Sequence, residues 1–213
     1  MQRVDAAAIE TIGIPRLLLM DHAGLAVAKA VQQLMPASQP ILICCGPGFN
    51  GGDGLSAARH LHEAGYAVRV LLAGPLDRLR EEPAIFAVIV RHLGIPLHEY
   101  TPAATSPAEG WMRDCGLMVD ALLGLGSRGT VREPVASLIA LMQRVGTPVL
   151  AVDIPSGLDA DTGQVQGIAV KAATTVTFGL PKRGCMTGEG PAHTGSLVVE
   201  PITIPRSLLE RIA

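Results

Sequence analysis

Aromatic side chains are nearly missing from this 213-residue chain, which has one Trp, two Tyr and three Phe. A core so poor in rings has to be built from Ala, Val, Leu and Ile, as buried parallel strands and their covering helices are. Charge is also sparse. Only 17% of residues are charged against 48% hydrophobic, which excludes a disordered chain and leaves material for a large core. The net charge of −2 lacks the basic excess that a nucleic-acid binder needs. No early apolar run is longer than Leu17–Met20, far short of a membrane span. Asp5 and Glu10 stand where a signal peptide would carry a basic start. The four cysteines contain no CxxC, and Cys44 and Cys45 sit side by side in an apolar, strand-like run, so reduced packing thiols and a cytoplasmic location are expected. There is no HExxH and no Cys/His cluster, and His60 and His62 face different sides of a helix, so zinc is not expected.

What is present is a regular alternation. Val4–Ile12 reads as a short helix stopped by Gly13, and a longer helix runs from beyond Pro15 to Pro36 with Met20, Ala23, Val27, Ala30 and Val31 on one face. Ile41–Cys45 reads as a strand, followed by a glycine-rich loop and a helix from about Leu55 to Ala64. Strands are then expected at Ala67–Leu72, Pro96–Tyr100, Leu117–Ala121, Val149–Asp153, Ala173–Phe178 and Ser196–Glu200. Helices are expected at Glu81–Leu93 and Val135–Val145, and Thr101–Gly110 reads as a Pro/Ala/Ser/Thr-rich loop. Alternating strand and helix implies a mainly parallel sheet covered on both faces. With no linker, repeat or low-complexity segment, the chain reads as a single domain over residues 1–213.

Three segments at strand ends carry chemistry. Gly46-Pro47-Gly48-Phe49-Asn50-Gly51-Gly52-Asp53-Gly54 joins the first strand to its helix, and residues 46–51 match G-x-G-x-x-G. Glycines let backbone approach a ligand, and a helix N-terminus offers free N–H groups to an anion. The second strand ends Leu71-Leu72-Ala73, without the acid that holds a dinucleotide ribose, and no Gly-Lys-Ser/Thr follows. Ordinary NAD-dependent redox is therefore disfavoured, while a phosphate-bearing ligand is not; the bland alternative is a structural turn. Asp120 ends the strand before Gly124-Leu125-Gly126-Ser127-Arg128-Gly129, where a carboxylate binds a cation, moves protons or merely caps a turn. Asp153-Ile154-Pro155-Ser156-Gly157 lacks the glycine two residues before Ser156 that a nucleophile elbow requires, which leaves Ser156 as a hydrogen-bonding or cation-ligand oxygen. Lys182 and Arg183 either neutralise phosphate or lie in a solvated loop.

Taken together, these segments resemble the NAD(P)H-hydrate epimerase family, the N-terminal module of YjeF-type proteins. The resemblance starts at Ile9-Glu10, Gly13-Ile14-Pro15 and Leu19-Met20-Asp21-His22-Ala23-Gly24. It continues through Asn50-Gly51-Gly52-Asp53-Gly54, Val119-Asp120-Ala121, Asp153-Ile154-Pro155-Ser156-Gly157 and Thr177-Phe178-Gly179-Leu180-Pro181-Lys182, and covers nearly the whole chain. It implies a Rossmann-like three-layer α/β/α sandwich with two N-terminal helices, usually a homodimer. The implied activity is interconversion of the R and S forms of hydrated NADH and NADPH (NADHX and NADPHX), feeding an S-specific dehydratase. The implied substrate contacts are Phe49, Asn50, Gly51, Gly52, Asp53, the stretch Gly124, Leu125, Gly126, Ser127, Arg128, Gly129 and Thr130, and Asp153. One potassium ion per subunit is implied at Asn50, Asp120 and Ser156, with Asp120 as the acid/base or charge-stabilising catalytic group. The dehydratase domain often fused behind this module would need a long further stretch beyond Ala213, so a separate dehydratase is the expected functional partner. The alternative is a non-catalytic nucleotide-binding or scaffold module of the same fold. Two positions depart from the family pattern: Phe49 replaces an asparagine, and Asp21-His22 replaces Glu-Asn.

Overall fold

Every strand in the sheet runs parallel. The computed structural model describes residues 2–103 and 105–212; Met1, Ala104 and Ala213, which fall in the expected domain and in the expected 101–110 loop, lie outside the described residues. The strands are β1 (Ile41–Cys45), β2 (Val68–Ala73), β3 (Leu97–Tyr100), β4 (Leu117–Ala121), β5 (Val149–Val152), β6 (Thr174–Phe178) and β7 (Ser196–Glu200). Their order is β3-β2-β1-β4-β5-β6-β7. Chain direction across the sheet therefore reverses between β1 and β4, and at such a switch point the crevice beyond the carboxyl ends of the strands is left open for a ligand. The register sets Cys44 beside Asp120, and Asp120 beside Ala151.

Helices cover both faces. α1 (Gln2–Ala6) runs into a π-helical turn at Ala7–Thr11, and α2 (Arg16–Leu34) follows. α3 (Phe49–Glu63) and α4 (Glu81–His92) join α2 on one face, where Val27, Val31, Leu55, Leu61, Phe86 and Val90 pack on the inner residues of β1, β2 and β4. α5 (Thr105–Asp114) and α6 (Val135–Val145) cover the other face through Met112, Leu138, Ile139 and Met142. Each fully buried aliphatic side chain contributes roughly 1.5–3 kcal/mol, so two mainly aliphatic layers hold the sheet, with Tyr66, Phe86, Phe178 and Tyr100 as the few buried rings. Three short helices complete the chain: α7 (Arg183–Met186), α8 (Gly190–Thr194) and α9 (Arg206–Ile212). α9 packs on α1, where Val4, Ala8, Leu19, Ile204 and Leu208 form a separate small core.

Two expectations from sequence need correction. The stretch expected as a 101–110 loop is helical from Thr105, because Ala108 and Met112, one turn apart, are buried in the second core. Pro107 sits in the first turn, where its missing N–H costs no helical bond. The glycine-rich segment after β1 is likewise not a loop: α3 begins at Phe49 rather than near Leu55. Its glycines serve close approach, not flexibility. A Cβ on Gly51 would fall 1.8 Å from the Gly46 carbonyl oxygen, and one on Gly54 would fall 2.6 Å from Cβ of Ala121 on β4. The glycines let the start of α3 lie directly on the β1–β4 seam.

Candidate active site

A cavity of about 740 Å³ opens at the carboxyl ends of β1, β4, β5 and β6. That is within the range of pockets that take a nucleotide-sized ligand. One wall is the start of α3, from Pro47 to Asn50 and on to Asp53; the facing wall is the Leu122–Ser127 stretch after β4. α1 and the start of α2 close over it with Asp5, Glu10, Arg16 and Met20, while Asp153, Phe178 and Lys182 come from the ends of β5 and β6. The expected substrate contacts therefore divide. Phe49, Asn50, Asp53, Gly124, Leu125, Gly126, Ser127 and Asp153 line the cavity. Gly51 and Gly52 are instead buried against Gly46 and Met20, and Arg128, Gly129 and Thr130 lie beyond its wall. Arg128 turns away to Asp159 and Asp161, at 3.8 and 3.3 Å.

Behind the wall lies a closed knot. Asp120 has no exposed surface and accepts three hydrogen bonds, from Leu122 N (3.2 Å), Ser156 N (2.8 Å) and Ser156 Oγ (2.6 Å). Burial pushes its carboxyl up to about 6, and the bonds from Ser156 and Leu122 oppose that push. Leu123 N donates to Ser156 Oγ at 2.8 Å, and Asn50 Nδ2 donates to the Leu123 carbonyl at 3.0 Å. Asn50, Asp120 and Ser156, from three separate strand ends, thus meet around the backbone of Leu123. No cavity-lining atom belongs to Asp120 or Ser156.

The inner end of the cavity is acidic. Asp153 follows β5 with φ of +67°, a left-handed conformation that costs a non-glycine residue of order 1 kcal/mol or more and recurs at ligand sites. The turn aims its carboxylate back at β6, where it accepts from Phe178 N at 3.2 Å and pairs with Lys182. Lys182 is not part of a solvated loop, one of the two readings left open by sequence. It is 4% exposed, and its Nζ also donates to the Phe178 carbonyl at 2.8 Å. Asp53 and Asp5 face the same region. Burial, then the charges of Asp153 and Asp5, hold the Asp53 carboxyl well above the ordinary carboxylate range, while Lys182 pulls it down. Burial and then Asp153 raise Asp5 as well.

At the mouth, the Arg16 guanidinium lies 4.6 Å from the centroid of the Phe49 ring, and its Nη1 reaches Glu81 Oε2 at 3.1 Å. The other departure, Asp21, accepts from Ser56 Oγ (2.9 Å) and Arg59 Nη2 (2.6 Å), tying α2 to α3 away from the cavity. Sequence reasoning missed Asp5, Glu10 and Arg16 as lining residues and left Lys182 undecided. Acids on an otherwise apolar N-terminal helix were the available signal.

The family described as YjeF-related protein N-terminus matches residues 16–184, a stretch that holds both walls of the cavity and the knot behind it. The chain belongs to this family. It is 40% identical over 93% of its length to an NAD(P)H-hydrate epimerase of Limosilactobacillus fermentum, covering 92% of that protein. It is 46% identical to a bifunctional NAD(P)H-hydrate repair enzyme Nnr of Pyrobaculum aerophilum, with 92% of this chain matching 39% of that one. A second protein of that name, from Coxiella burnetii, is 39% identical and is covered to 42%. The chain thus spans about two-fifths of the length of these bifunctional relatives. The crystal structure of yeast ynu0 superposes over 99% of this chain and 89% of its own, with a TM-score of 0.86 at 25% identity. The fold expected from sequence, a Rossmann-like α/β/α sandwich, is the observed one. No helix among the described residues is long and apolar enough to cross a membrane.

Proposed function

We propose that this protein is an isomerase that interconverts the R and S epimers of hydrated NADH and NADPH. The observation that carries the reading is the polarity of the cavity at the strand ends. Its inner end holds Asp5, Asp53 and Asp153 around a single ammonium, which repels phosphate and suits an uncharged, hydroxylated ring. Its outer end holds the N-terminus of α3, which no side chain caps, together with Arg16; backbone N–H groups there receive an anion such as a pyrophosphate. A nicotinamide hydrate has one end of each kind. Relatives named as epimerase or hydrate repair enzyme support the same substrate.

A potassium ion fits the knot by donor chemistry. Asp120, Ser156 Oγ and the Leu123 carbonyl bring oxygens and one negative charge to one place, and Asn50, whose Nδ2 meets that carbonyl, would add its Oδ1 with the amide turned over; such a set suits a weakly bound monovalent cation. When bound, such an ion would supply fixed positive charge behind the Leu122–Ser127 wall. Of the two roles open to Asp120, the charge-stabilising one suits its position, since its oxygens are occupied and shielded from the cavity. We further assign a cytoplasmic, homodimeric protein acting together with a dehydratase activity. The fully buried free thiols Cys44 and Cys45 suit a reducing compartment.

The test supplies mixed hydrate epimers with an S-specific dehydratase, which alone stalls when the S form is spent. Adding this protein should clear the R form. A stalled R form with tight nucleotide binding would instead support a non-catalytic binding module.

A further inference from the structure

Three carboxylates reach the inner cavity from different elements: Asp5 from α1, Asp53 from α3 and Asp153 from the end of β5. One cation, Lys182, lies among them, and it is committed to Asp153 and the Phe178 carbonyl. Among the described residues Asp53 has no hydrogen-bond or ion-pair partner, although it faces the cavity. Cys45 on β1, the remaining titratable group felt there, is fully buried with its thiol pushed up, and so adds no charge. Ionising all three acids would crowd three negative charges around Lys182 in one recess. That is too costly when one can keep its proton. Asp5 also feels the Arg16 guanidinium, whereas Lys182, already committed to Asp153, is the cation beside Asp53, so Asp53 holds it. An unpaired carboxyl beside one that is ion-paired to Lys182 is how a site sets an acid apart from its neighbours.

We propose that Asp53 is the catalytic acid of the epimerisation, protonating the hydroxyl group that leaves the hydrate ring; this rests on the hydrate reading above. In a hydrated dihydronicotinamide the hydroxyl sits on the carbon bonded to the ring nitrogen. The nitrogen lone pair forms a C=N bond as the C–O bond breaks. The C–O electron pair takes the Asp53 proton, giving water and leaving Asp53 as carboxylate. Water then adds to the other face of the planar cation, the C–O bond re-forms with opposite configuration, and the released proton returns to the carboxylate cluster. Water is both released and consumed, and nothing is oxidised. The cation forms among Asp5, Asp53 and Asp153, whose negative field stabilises it.

The experiment compares wild type, Asp53→Asn and Asp53→Glu in the dehydratase-coupled assay, with a run in oxygen-18 water. Asp53→Asn should lower kcat by about 100-fold or more, the range of a lost general acid. KM should move less than about tenfold, and Asp53→Glu should recover part of the rate. Wild-type kcat should fall as pH rises through the raised pKa of Asp53, because the acid must hold its proton, and Asp53→Asn should lose that limb. The heavy oxygen should enter the hydrate hydroxyl with each inversion. A kcat within about threefold of wild type, or a raised KM alone, overturns the assignment, as does inversion with the original oxygen retained. If Asp53→Asn does not fold, the wild-type pH profile and oxygen label decide. Wild type inert toward both hydrates overturns the hydrate reading itself, whereas active wild type with active Asp53→Asn overturns only the acid.

Discussion

Asp120 and Asp53 stand on either side of the same cavity wall and meet opposite conditions. Asp120 is sealed, with three donors on its two oxygens and no route to a ligand except through the Leu122–Leu123 backbone. Asp53 faces open space with no donor among the described residues and two other acids nearby. Burial raises both, but the bonds to Asp120 recover much of the cost and hold its carboxyl near 6, whereas the neighbours of Asp53 add to it. A carboxyl held by several fixed donors organises structure or, through a remaining lone pair, a cation. One left unpaired beside a cavity is available to exchange a proton with what enters.

The sharpest way to break this contrast is at Lys182. Lys182→Met leaves the Asp153 carboxylate buried without its partner, and should cost roughly 3–5 kcal/mol in urea unfolding, the cost of stranding one member of a buried pair. A loss below about 1 kcal/mol, the level of an exposed pair, would mean that the inner cavity is wet and the acids are screened. Asp120→Asn tests the sealed side. An amide there must point its NH2 at either Ser156 N or Leu122 N, since both of these donate. The predicted loss is roughly 2–3 kcal/mol from one donor left unpaired, with epimerisation abolished; full activity would remove Asp120 from the mechanism. Phe49→Asn restores the family residue and removes the ring under Arg16. Substrate affinity should change by less than about tenfold, or ~1.4 kcal/mol, because an asparagine keeps the backbone N–H at the start of α3. Complete loss of activity would make the ring essential. Arg128→Ala should have the smallest effect. Its pairs with Asp159 and Asp161 are half exposed and lie outside the cavity, so stability should fall by no more than about 1 kcal/mol with KM unchanged. A large rise in KM would show that the stretch beyond Ser127 folds over the substrate.

Phe49 shows how far a motif can be read. From sequence it is an implied substrate contact and a departure from the family pattern. In the structure its ring meets α2 at Arg16, at the rim, and it is 47% exposed. Helical phase alone could not say which residue of α2 would stand over the start of α3. Asp5 and Glu10 illustrate the converse. As two acids on a short helix they carried no spacing that points to a site, and they line the cavity only because α9 and the Ile204 region hold α1 over it.

By itself the sequence determined the alternation of strand and helix, the aliphatic two-layer core, and the three polar strand ends that mark this family. Those features are local: strand runs are legible from apolar composition, Asp120 sits at the end of β4, and Asn50, Asp153 and Ser156 each follow a strand by a few residues. Tertiary structure alone decided that α3 starts at Phe49, since only contact with Gly46 and Ala121 shows why its glycines are needed in a helix. It alone decided which acids share a cavity. Asp5, Asp53, Asp153 and Lys182 are far apart along the chain, and their charges couple only because parallel strands deliver every carboxyl end to the same edge of the sheet. Protonation depends on distance through a medium of low polarity, and no spacing along a sequence encodes that distance.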